Sequence, residues 1–366
     1  MTRSRIESID ALRGFDMFLI LGADNVAGSL RKLTDAAPVA LVAEQLEHVE
    51  WAGLHFYDVI FPLFVFLMGT STVFSLTKIV DQRGKPAAYS RVIRRGVLLY
   101  ALGLIYYGGM SRDGDPEMFR YVGVLHRIAI CYLFGGLLFL NLRFRGLLVA
   151  CAMLLIGYWA AMTFIPIPVH GAGIYEPGKN LAHYIDLHYL PGYKWNGDWD
   201  PEGLLSSLPA IATGILGIFA GLLIRREDLS DWSKVGYLTA AGCLSLLLGY
   251  LWGLQFPLIK NLWTSSFVLV TGGWCYLLLA SFYLIIDLWG FRLWSRPFVW
   301  IGMNCLTLYL LDNFVGGFPA IVRRAVHAPL EAAMAPWGSL LVSMLALGLM
   351  VLVAWALHRK NIFIRV

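Results

Sequence analysis

The hydrophobic positions of this 366-residue chain fall in long runs that few polar residues interrupt. Roughly 20 apolar residues suffice to cross about 30 Å of hydrocarbon, and a helix satisfies its own backbone hydrogen bonds there. We therefore expect an all-α polytopic integral membrane protein, a bundle of about ten transmembrane helices in a single domain over residues 1–366. The predicted spans cover approximately 10–30, 56–77, 91–109, 122–141, 145–165, 204–224, 235–255, 263–287, 297–316 and 338–358.

Composition agrees with a membrane protein, and charge indicates its orientation. Hydrophobic residues make up 58% of the chain and charged residues 14%, whereas a soluble domain carries about 25% charged residues. The Lys and Arg residues lie beside the apolar runs, so the net charge of +5 concerns membrane orientation and not a nucleic-acid partner. A cytoplasmic N-terminus places most of the 29 Lys and Arg residues inside. We expect both termini to be cytoplasmic and His48 to face outward.

The cysteines and the first apolar run exclude two other features. All five cysteines lie in apolar runs without CxxC or metal-ligand spacing, so we expect neither a disulfide nor a bound metal. The first run contains Asp10, Arg13, Asp16 and Asp24, unlike the core of a signal peptide, and we expect it to be retained.

The longest predicted external connection, residues 166–203, is rich in Gly, Pro, Tyr, Trp and Asp. Long structured loops often carry function, so this extracytoplasmic loop is a candidate lid over a site. Its rings could stack on sugar faces while carboxylates and carboxamides bond to hydroxyls. An aromatic belt at the membrane interface explains the same residues, and the sequence leaves both interpretations open.

Residues 48–71, HVEWAGLHFYDVIFPLFVFLMGTS, place two histidines and an aspartate at the mouth of a span. An imidazole can take a proton near pH 7, and a carboxylate on its second nitrogen fixes the tautomer. His55 and Asp58 would share a helical face, although spacing alone does not choose between His48 and His55. A lone histidine is often just a polar group at a helix mouth. Asp58 is a functional candidate, because a carboxylate inside an apolar span is costly.

The first predicted span carries charge at both ends. Asp10, Arg13 and Asp16 follow i, i+3, i+6 spacing and are neighbours on one helix face. They form either a structural ion ladder or a site where Arg13 meets an anionic ligand. At the other end, Asp24 and Asn25 either cap the helix or belong to an outward-facing site.

Two later spans also contain polar candidates. His126 and Arg127 begin one span, where a snorkelling arginine is the alternative to ligand binding. Asn304 and Asp312 lie eight residues apart, near the same face of a predicted helix. Asn304 suits either hydrogen bonding between helices or a site.

The predicted internal loop KIVDQRGKPAAYSRVIRRG gathers basic residues. They either orient the protein and contact anionic lipid, or they bind a phosphate-bearing ligand from the cytoplasm through Arg94 and Arg95.

These residues support three hypotheses of different kinds. The first is a transmembrane transferase with a cytoplasmic donor and a histidine-centred site outside. The second is a proton-coupled transporter, for which we would expect inverted repeats and broken helices; the sequence shows no repeat. The third is a non-catalytic scaffold or lipid-binding protein.

Seven segments resemble one family in the same order along nearly the whole chain. They are RIESIDALRG, the stretch at 48–71, GVLHRI, WDPEGLLSSLPAIATGILGIFAG, KNLW, GMNCLTLY and HRKNIF. They resemble the heparan-α-glucosaminide N-acetyltransferase family and its bacterial relatives, within a wider transmembrane acyltransferase group.

The resemblance implies a function and a location. Acetyl-CoA would donate from the cytoplasmic side to the amine of a glucosamine-type sugar outside, in a bacterial inner membrane, with no metal. Acetyl-CoA, an amino sugar or glycan, and membrane lipid are the implied partners, and the chain could form a homodimer. A proton-coupled transporter or an O-acyltransferase acting on a cell-envelope glycan remains the alternative.

The resemblance also implies roles for individual residues. The family's catalytic histidine matches His48, as base or acetyl carrier, and its motif aspartate matches Asp58. Its arginines match Arg13 and Arg127, to which the basic loop adds Arg94 and Arg95 for the CoA phosphates, and its asparagine matches Asn304, a candidate oxyanion donor. Two departures concern the acceptor: Asp312 replaces a histidine, and Asp24, beside Asn25, replaces an asparagine.

Overall fold

The computed structural model describes residues 6–34, 36–107, 119–326 and 334–363, where the regular secondary structure is helical apart from isolated β-bridges. This confirms the predicted all-α class. The α-helices, in chain order, are α1 (Glu7–Phe18), α2 (Asp24–Arg31), α3 (Ala37–Gln45), α4 (Ile60–Tyr106), α5 (Val124–Asn141), α6 (Phe144–Phe164), α7 (Leu181–Tyr189), α8 (Ser207–Arg225), α9 (Asp231–Gly253), α10 (Ser265–Phe282), α11 (Arg296–Met303), α12 (Cys305–Val315), α13 (Phe318–Val326) and α14 (Gly338–Arg359).

The chain divides into two compact units. Unit 1 comprises residues 6–49, 55–60 and 278–363, and unit 2 comprises residues 50–54 and 61–277, within the described ranges. Unit 1 therefore contains α1–α3 and α11–α14, while unit 2 contains nearly all of α4 together with α5–α9.

Seven helical runs in the described chain are long and apolar enough to cross a membrane, and a bent pair gives an eighth. The seven are Phe56–Tyr106, Val124–Asn141, Phe144–Phe164, Ser207–Arg225, Asp231–Gly253, Ser265–Leu288 and Gly338–Arg359; the pair is Arg296–Met303 with Cys305–Val315. The multi-pass architecture is therefore confirmed, and the difference from ten lies in how four predicted spans are built.

The predicted spans 56–77 and 91–109 both fall within the run Phe56–Tyr106, and residues 108–109 lie outside the described chain. Helical geometry is interrupted at Gly84, whose φ of 79° and ψ of 171° favour glycine. Leu76 and Val92, on opposite sides of this break, both lie within 3.6 Å of a Cβ placed on Gly136. The chain therefore turns back at Gly84, as two separate spans require.

The predicted span 10–30 is not one continuous helix. A π-helical segment, Leu19–Ala23, separates α1 from α2, and Gly22 inside it has non-helical dihedrals. The same run contains three charged residues, Asp10, Arg13 and Asp16, and is therefore more polar than the seven apolar spans.

The predicted helix 297–316 is also broken, because α11 and α12 meet at 74°. Asn304 lies at the break with φ −125° and ψ 17°. Asn304 and Asp312 therefore do not lie on one face of a continuous helix, which corrects that prediction. A broken helix is also a feature expected of the transporter alternative, so this break is consistent with that alternative.

Helices α1 and α11 of unit 1 approach each other backbone to backbone. A Cβ on Gly14 would lie 1.7 Å from the Phe298 carbonyl oxygen, and a Cβ on Gly302 would lie 1.8 Å from that of Asp10. Small residues permit such crossings in membrane helices, where association depends on close packing. These glycines hold the charged face of α1 near the break at Asn304.

Unit 2 contains a similar crossing between α4 and α8. A Cβ on Gly217 would lie 1.9 Å from the Phe66 carbonyl oxygen, and Thr70 donates a hydrogen bond of 3.0 Å to the Gly217 carbonyl. Tyr276 donates to the Leu216 carbonyl at 2.7 Å. These contacts make α8 the central helix of unit 2.

We predict that Gly14→Ala destabilises unit 1, because a methyl group has no room against the α11 backbone. Overpacking of this kind costs about 3 kcal/mol, measured as a lower thermal midpoint of the purified protein in detergent. Gly348→Ala in α14 is the matched control, since nothing lies within 4 Å of its added Cβ. Equal midpoints for the two variants would contradict the backbone contact.

Candidate active site

His48 and Asp58 form a hydrogen-bonded pair in unit 1. His48 Nδ1 lies 2.9 Å from Asp58 Oδ1, and the Asp58 side chain is fully buried while that of His48 is 51% exposed. A buried carboxylate on one ring nitrogen fixes the orientation and tautomer of an imidazole. The pair thus combines a fixed ring with access to solvent.

The local chain path explains why Asp58 pairs with His48 and not with the side chain of His55. Asp58 lies in the 3₁₀ turn Phe56–Val59, and its Oδ2 accepts hydrogen bonds from the backbone N–H groups of His55 at 3.0 Å and Val49 at 3.3 Å. The His55 ring instead places Nδ1 3.1 Å from the Glu47 carbonyl oxygen. Because His55 precedes the turn, its helical spacing to Asp58 does not bring the two side chains together.

A cleft of about 390 Å³ in unit 1 is open to His48. It is lined by polar and charged side chains, including His48, Asp24, Asn25, Glu47, Tyr57, Lys32 and Arg323. The structure therefore brings the predicted residues His48, Asp24 and Asn25 together around one space, with Asp58 beneath His48.

Tyr57 belongs to this site although the sequence did not single it out. Its ring centroid lies 4.7 Å from that of His48, and it lines the same cleft as Asp24. The one signal in the sequence is its position next to Asp58, and only the 3₁₀ turn brings both residues against His48.

The other candidates in unit 1 lie away from the cleft lining. Arg13 Nη1 is 3.5 Å from Asp10 Oδ1, which forms half of the predicted ion ladder. Asp16 is fully buried, and neither of its carboxylate oxygens has a hydrogen-bond partner among the described residues. Asn304 is also buried, and its Nδ2 donates to the Trp300 carbonyl at 3.3 Å.

Asp312 has a structural partner. Its Oδ1 accepts a hydrogen bond of 2.8 Å from the backbone N–H of Phe318, the first residue of α13. Satisfying an unpaired N–H at a helix start stabilises the helix. Its predicted contact with the acceptor remains a prediction.

The remaining predicted arginines lie in unit 2. Arg94 is exposed, and Arg95 is partly buried with its guanidinium 4.7 Å from the Tyr132 ring centroid. Arg127 is buried beneath Trp263, 4.8 Å from its ring, and donates to Ser206 and to the Gly203 carbonyl. His126 is buried between Tyr100 and Tyr107, at centroid distances of 4.5 and 5.8 Å.

Unit 2 also contains a buried ionic cluster that anchors the loop 166–203. Arg120 donates to both carboxylate oxygens of Asp200, at 2.9 and 2.8 Å, and to Glu202 at 2.7 Å. Asp186 accepts from the backbone N–H groups of Asp200 and Leu204. The aromatic residues include Trp199, which stacks on His183 at 3.8 Å.

Burial and charge set the protonation of this cluster. Burial raises the pKa of Asp186 to about 6, although the backbone donors of Leu204 and Asp200 lower it. Burial would also raise the pKa of Asp200, but the hydrogen bond and charge of Arg120 outweigh it and hold that pKa below its usual range. Burial lowers the pKa of His183 to about 3, so its ring is neutral.

Comparisons with known proteins relate the chain to one family. The family model described as "Heparan-alpha-glucosaminide N-acetyltransferase, catalytic" matches residues 5–253. The matched range contains His48, Asp58 and the four predicted arginines, and it ends before Asn304 and Asp312.

Two similar proteins carry the name heparan-alpha-glucosaminide N-acetyltransferase. The protein of Homo sapiens is 26% identical over 431 aligned residues, which cover 98% of this chain and 59% of the relative. That of Mus musculus is 25% identical over 425 residues, covering 98% and 60%. The chain thus spans about 60% of the length of these relatives.

We predict that Asp186 makes the stability of unit 2 depend on pH. Because its folded pKa lies above that of an exposed aspartate, its contribution is fully present below about pH 4 and is lost as pH rises through about 6. Asp186→Asn should therefore reduce the fall in unfolding free energy between pH 4 and 7 by on the order of 2 kcal/mol. Chemical unfolding at several pH values measures this slope.

Asp198→Asn is the control for this slope, since Asp198 is an exposed carboxylate in the same loop. It should leave the pH dependence as in the wild type. Equal slopes for Asp186→Asn and the wild type would show that Asp186 does not titrate in this range.

Proposed function

This chain belongs to the heparan-alpha-glucosaminide N-acetyltransferase family, and on that premise we propose that it is a membrane-bound acetyltransferase. The donor is acetyl-CoA and the acceptor is the amine of a glucosamine-type sugar. The proposed orientation has the donor and both termini on the cytoplasmic side of a bacterial inner membrane and the acceptor outside. The predicted resemblance to this family is confirmed by the match over residues 5–253.

The observation that carries the proposal is the His48–Asp58 pair at the cleft, with 2.9 Å between Nδ1 and Oδ1. An amine attacks a thioester carbonyl only in its unprotonated form, so acyl transfer needs a base beside the acceptor. With Nδ1 engaged by Asp58, Nε2 is the nitrogen that takes the proton from the attacking amine. Asp58 orients the ring and stabilises the imidazolium that forms.

The proposed step forms one bond and breaks one, and a single proton passes through His48. The amine nitrogen forms a bond to the acetyl carbon, and the proton it loses goes to His48. The carbon–sulfur bond then breaks, and His48 returns the proton to the departing CoA thiolate. The products are an acetamido sugar and CoA, and His48 is regenerated.

Four arginines are proposed to pair with the phosphates of CoA. Guanidinium groups bind phosphate through paired hydrogen bonds. Arg94 is exposed at the predicted cytoplasmic loop, and Arg127 has two buried nitrogens, Nε and Nη1, with no partner among the described residues. Arg13 and Arg95 complete the set.

A transporter is the second candidate, and one observation favours it. Unit 1 contains the broken span at Asn304, whose Oδ1 is unpartnered in the described chain, and the buried carboxylate of Asp16. Broken helices and intramembrane carboxylates are typical of proton-coupled transporters. Uptake of unmodified sugar into vesicles, driven by an imposed proton gradient, would favour this candidate over the enzyme.

We predict that His48→Ala lowers the rate of acetyl transfer at least 100-fold, because general-base catalysis contributes about 10²- to 10⁴-fold. Asp58→Asn should also lower kcat, since an amide cannot stabilise the imidazolium. The assay uses purified protein in liposomes, radiolabelled acetyl-CoA and a panel of amino sugars.

His55→Ala is the matched control, because its ring contacts the Glu47 carbonyl and not Asp58. Its activity should stay within a few-fold of the wild type. Wild-type protein that acetylates no amino sugar, or full activity in His48→Ala, would overturn the proposal.

We also predict that transfer is direct, without an acetyl-histidine intermediate. The pairing of Nδ1 with Asp58 is the arrangement of a general base. Incubation with radiolabelled acetyl-CoA alone, followed by rapid quenching, should leave no label that depends on His48. A label present in the wild type and absent in His48→Ala would instead support covalent catalysis.

A further inference from the structure

The chain segment that carries His48 is closed into a loop by one side chain. Gln45 is the last residue of α3, and its Oε1 accepts a hydrogen bond of 3.0 Å from the backbone N–H of Phe56. Phe56 is the first residue of the 3₁₀ turn Phe56–Val59. The end of α3 is therefore tied to the start of the turn that carries Asp58.

The Phe56 N–H needs an acceptor from outside its turn, because the first N–H groups of a helical segment have no partner within it. Asp58 Oδ2 accepts from the backbone N–H groups of His55, at 3.0 Å, and Val49, at 3.3 Å. The next N–H, that of Phe56, is the one that Gln45 accepts. A backbone donor shielded from water is costly to leave unpaired, so this bond fixes the turn against the end of α3.

Two groups that hold the His48 ring follow Phe56 directly in the chain. The Tyr57 ring lies 4.7 Å from the His48 ring between centroids, and Asp58 Oδ1 lies 2.9 Å from His48 Nδ1. His48 itself follows Gln45 by three residues. The position of Phe56 relative to Gln45 therefore decides where the imidazole meets its carboxylate.

We propose that Gln45 is a positioning residue for the catalytic base: its bond to the Phe56 N–H holds His48 in register with Asp58 and Tyr57. The kinetic part of this inference rests on the proposed acetyl transfer. Gln45 does not line the cleft in the described part of the chain, so it acts through His48 and not on a substrate. A reacting group displaced by about 1 Å can lose about 100-fold in rate, which gives this neutral contact its weight in catalysis.

Gln45→Met tests the contact, because methionine has nearly the same length and helix propensity but no strong acceptor. We expect kcat for acetyl transfer to fall about 10- to 100-fold, with the KM for acetyl-CoA within about 2-fold of the wild type. Gln45→Glu keeps an oxygen that accepts from the same N–H and should hold kcat within about 3-fold of the wild type. Glu44→Met is the matched control, since it introduces the same residue at the neighbouring, exposed position of α3, and it should leave kcat unchanged.

A second comparison separates positioning from a general loss of fold. In His48→Ala the base is absent, so adding Gln45→Met should lower the residual rate by less than about 2-fold. A substitution that only destabilises the protein lowers the rate by the same factor with and without His48. The thermal midpoint of each variant in detergent is measured alongside.

Nitrogen NMR of the full-length protein with isotope-labelled histidine reads the same contact without any substrate. A carboxylate only accepts hydrogen bonds, so the proton of the neutral His48 ring lies on Nδ1. At a pH where the ring is neutral, wild-type His48 should show this one tautomer, in the signal that His48→Ala lacks. Gln45→Met should show a mixture of both tautomers, whereas Gln45→Glu and Glu44→Met should match the wild type.

Three outcomes would overturn the positioning role: undiminished kcat in Gln45→Met, an equal fractional loss in the His48→Ala background, or an unchanged His48 tautomer in Gln45→Met. Should Gln45→Met fail to fold, Gln45→Asn decides, because its shorter side chain keeps the amide but does not reach the Phe56 N–H. A wild type that transfers no acetyl group refutes only the proposed function, and the tautomer of His48 still decides the role of Gln45.

Discussion

The buried carboxylate of Asp58 is the constraint on which the unit 1 site depends. A carboxylate removed from water is costly unless donors surround it, and here the donors are the His48 ring and the backbone N–H groups of Val49 and His55. His48 and Val49 precede residues 50–54 and His55 follows them, so the Asp58 carboxylate holds together two separate points of the chain. The 3₁₀ turn that carries Asp58 also carries Tyr57, whose ring packs against His48.

Close backbone packing and helix breaks shape the helices α1, α11 and α12 of the same unit. The contact of α1 with α11 at Gly14 and Gly302 leaves no space for side chains where the two backbones meet. Asn304 lies where α11 stops and α12 begins at 74°. Broken helices leave backbone groups unpaired, and such breaks are tolerated where polar side chains and neighbouring helices re-satisfy those groups.

The sequence predicted the helical class and most span positions, because apolar runs of about 20 residues are strong signals. Of the residues that line the cleft it named His48, Asp24 and Asn25. It did not predict the breaks at Gly22 and Asn304, which depend on tertiary packing and not on hydropathy. Spacing favoured His55 over His48 as the partner of Asp58, because it assumed a regular helix through both residues. The family resemblance pointed to His48, but Tyr57 needed the turn geometry to be found.

The two acidic residues that the sequence predicted to hold the acceptor differ in what the fold requires of them. Asp312 is already engaged by the Phe318 backbone N–H, so its carboxylate is explained by the start of α13. Asp24 accepts a hydrogen bond from the side chain of Asn25, and both residues line the cleft with His48. The fold therefore accounts for Asp312 locally, whereas it places Asp24 in the cleft beside His48.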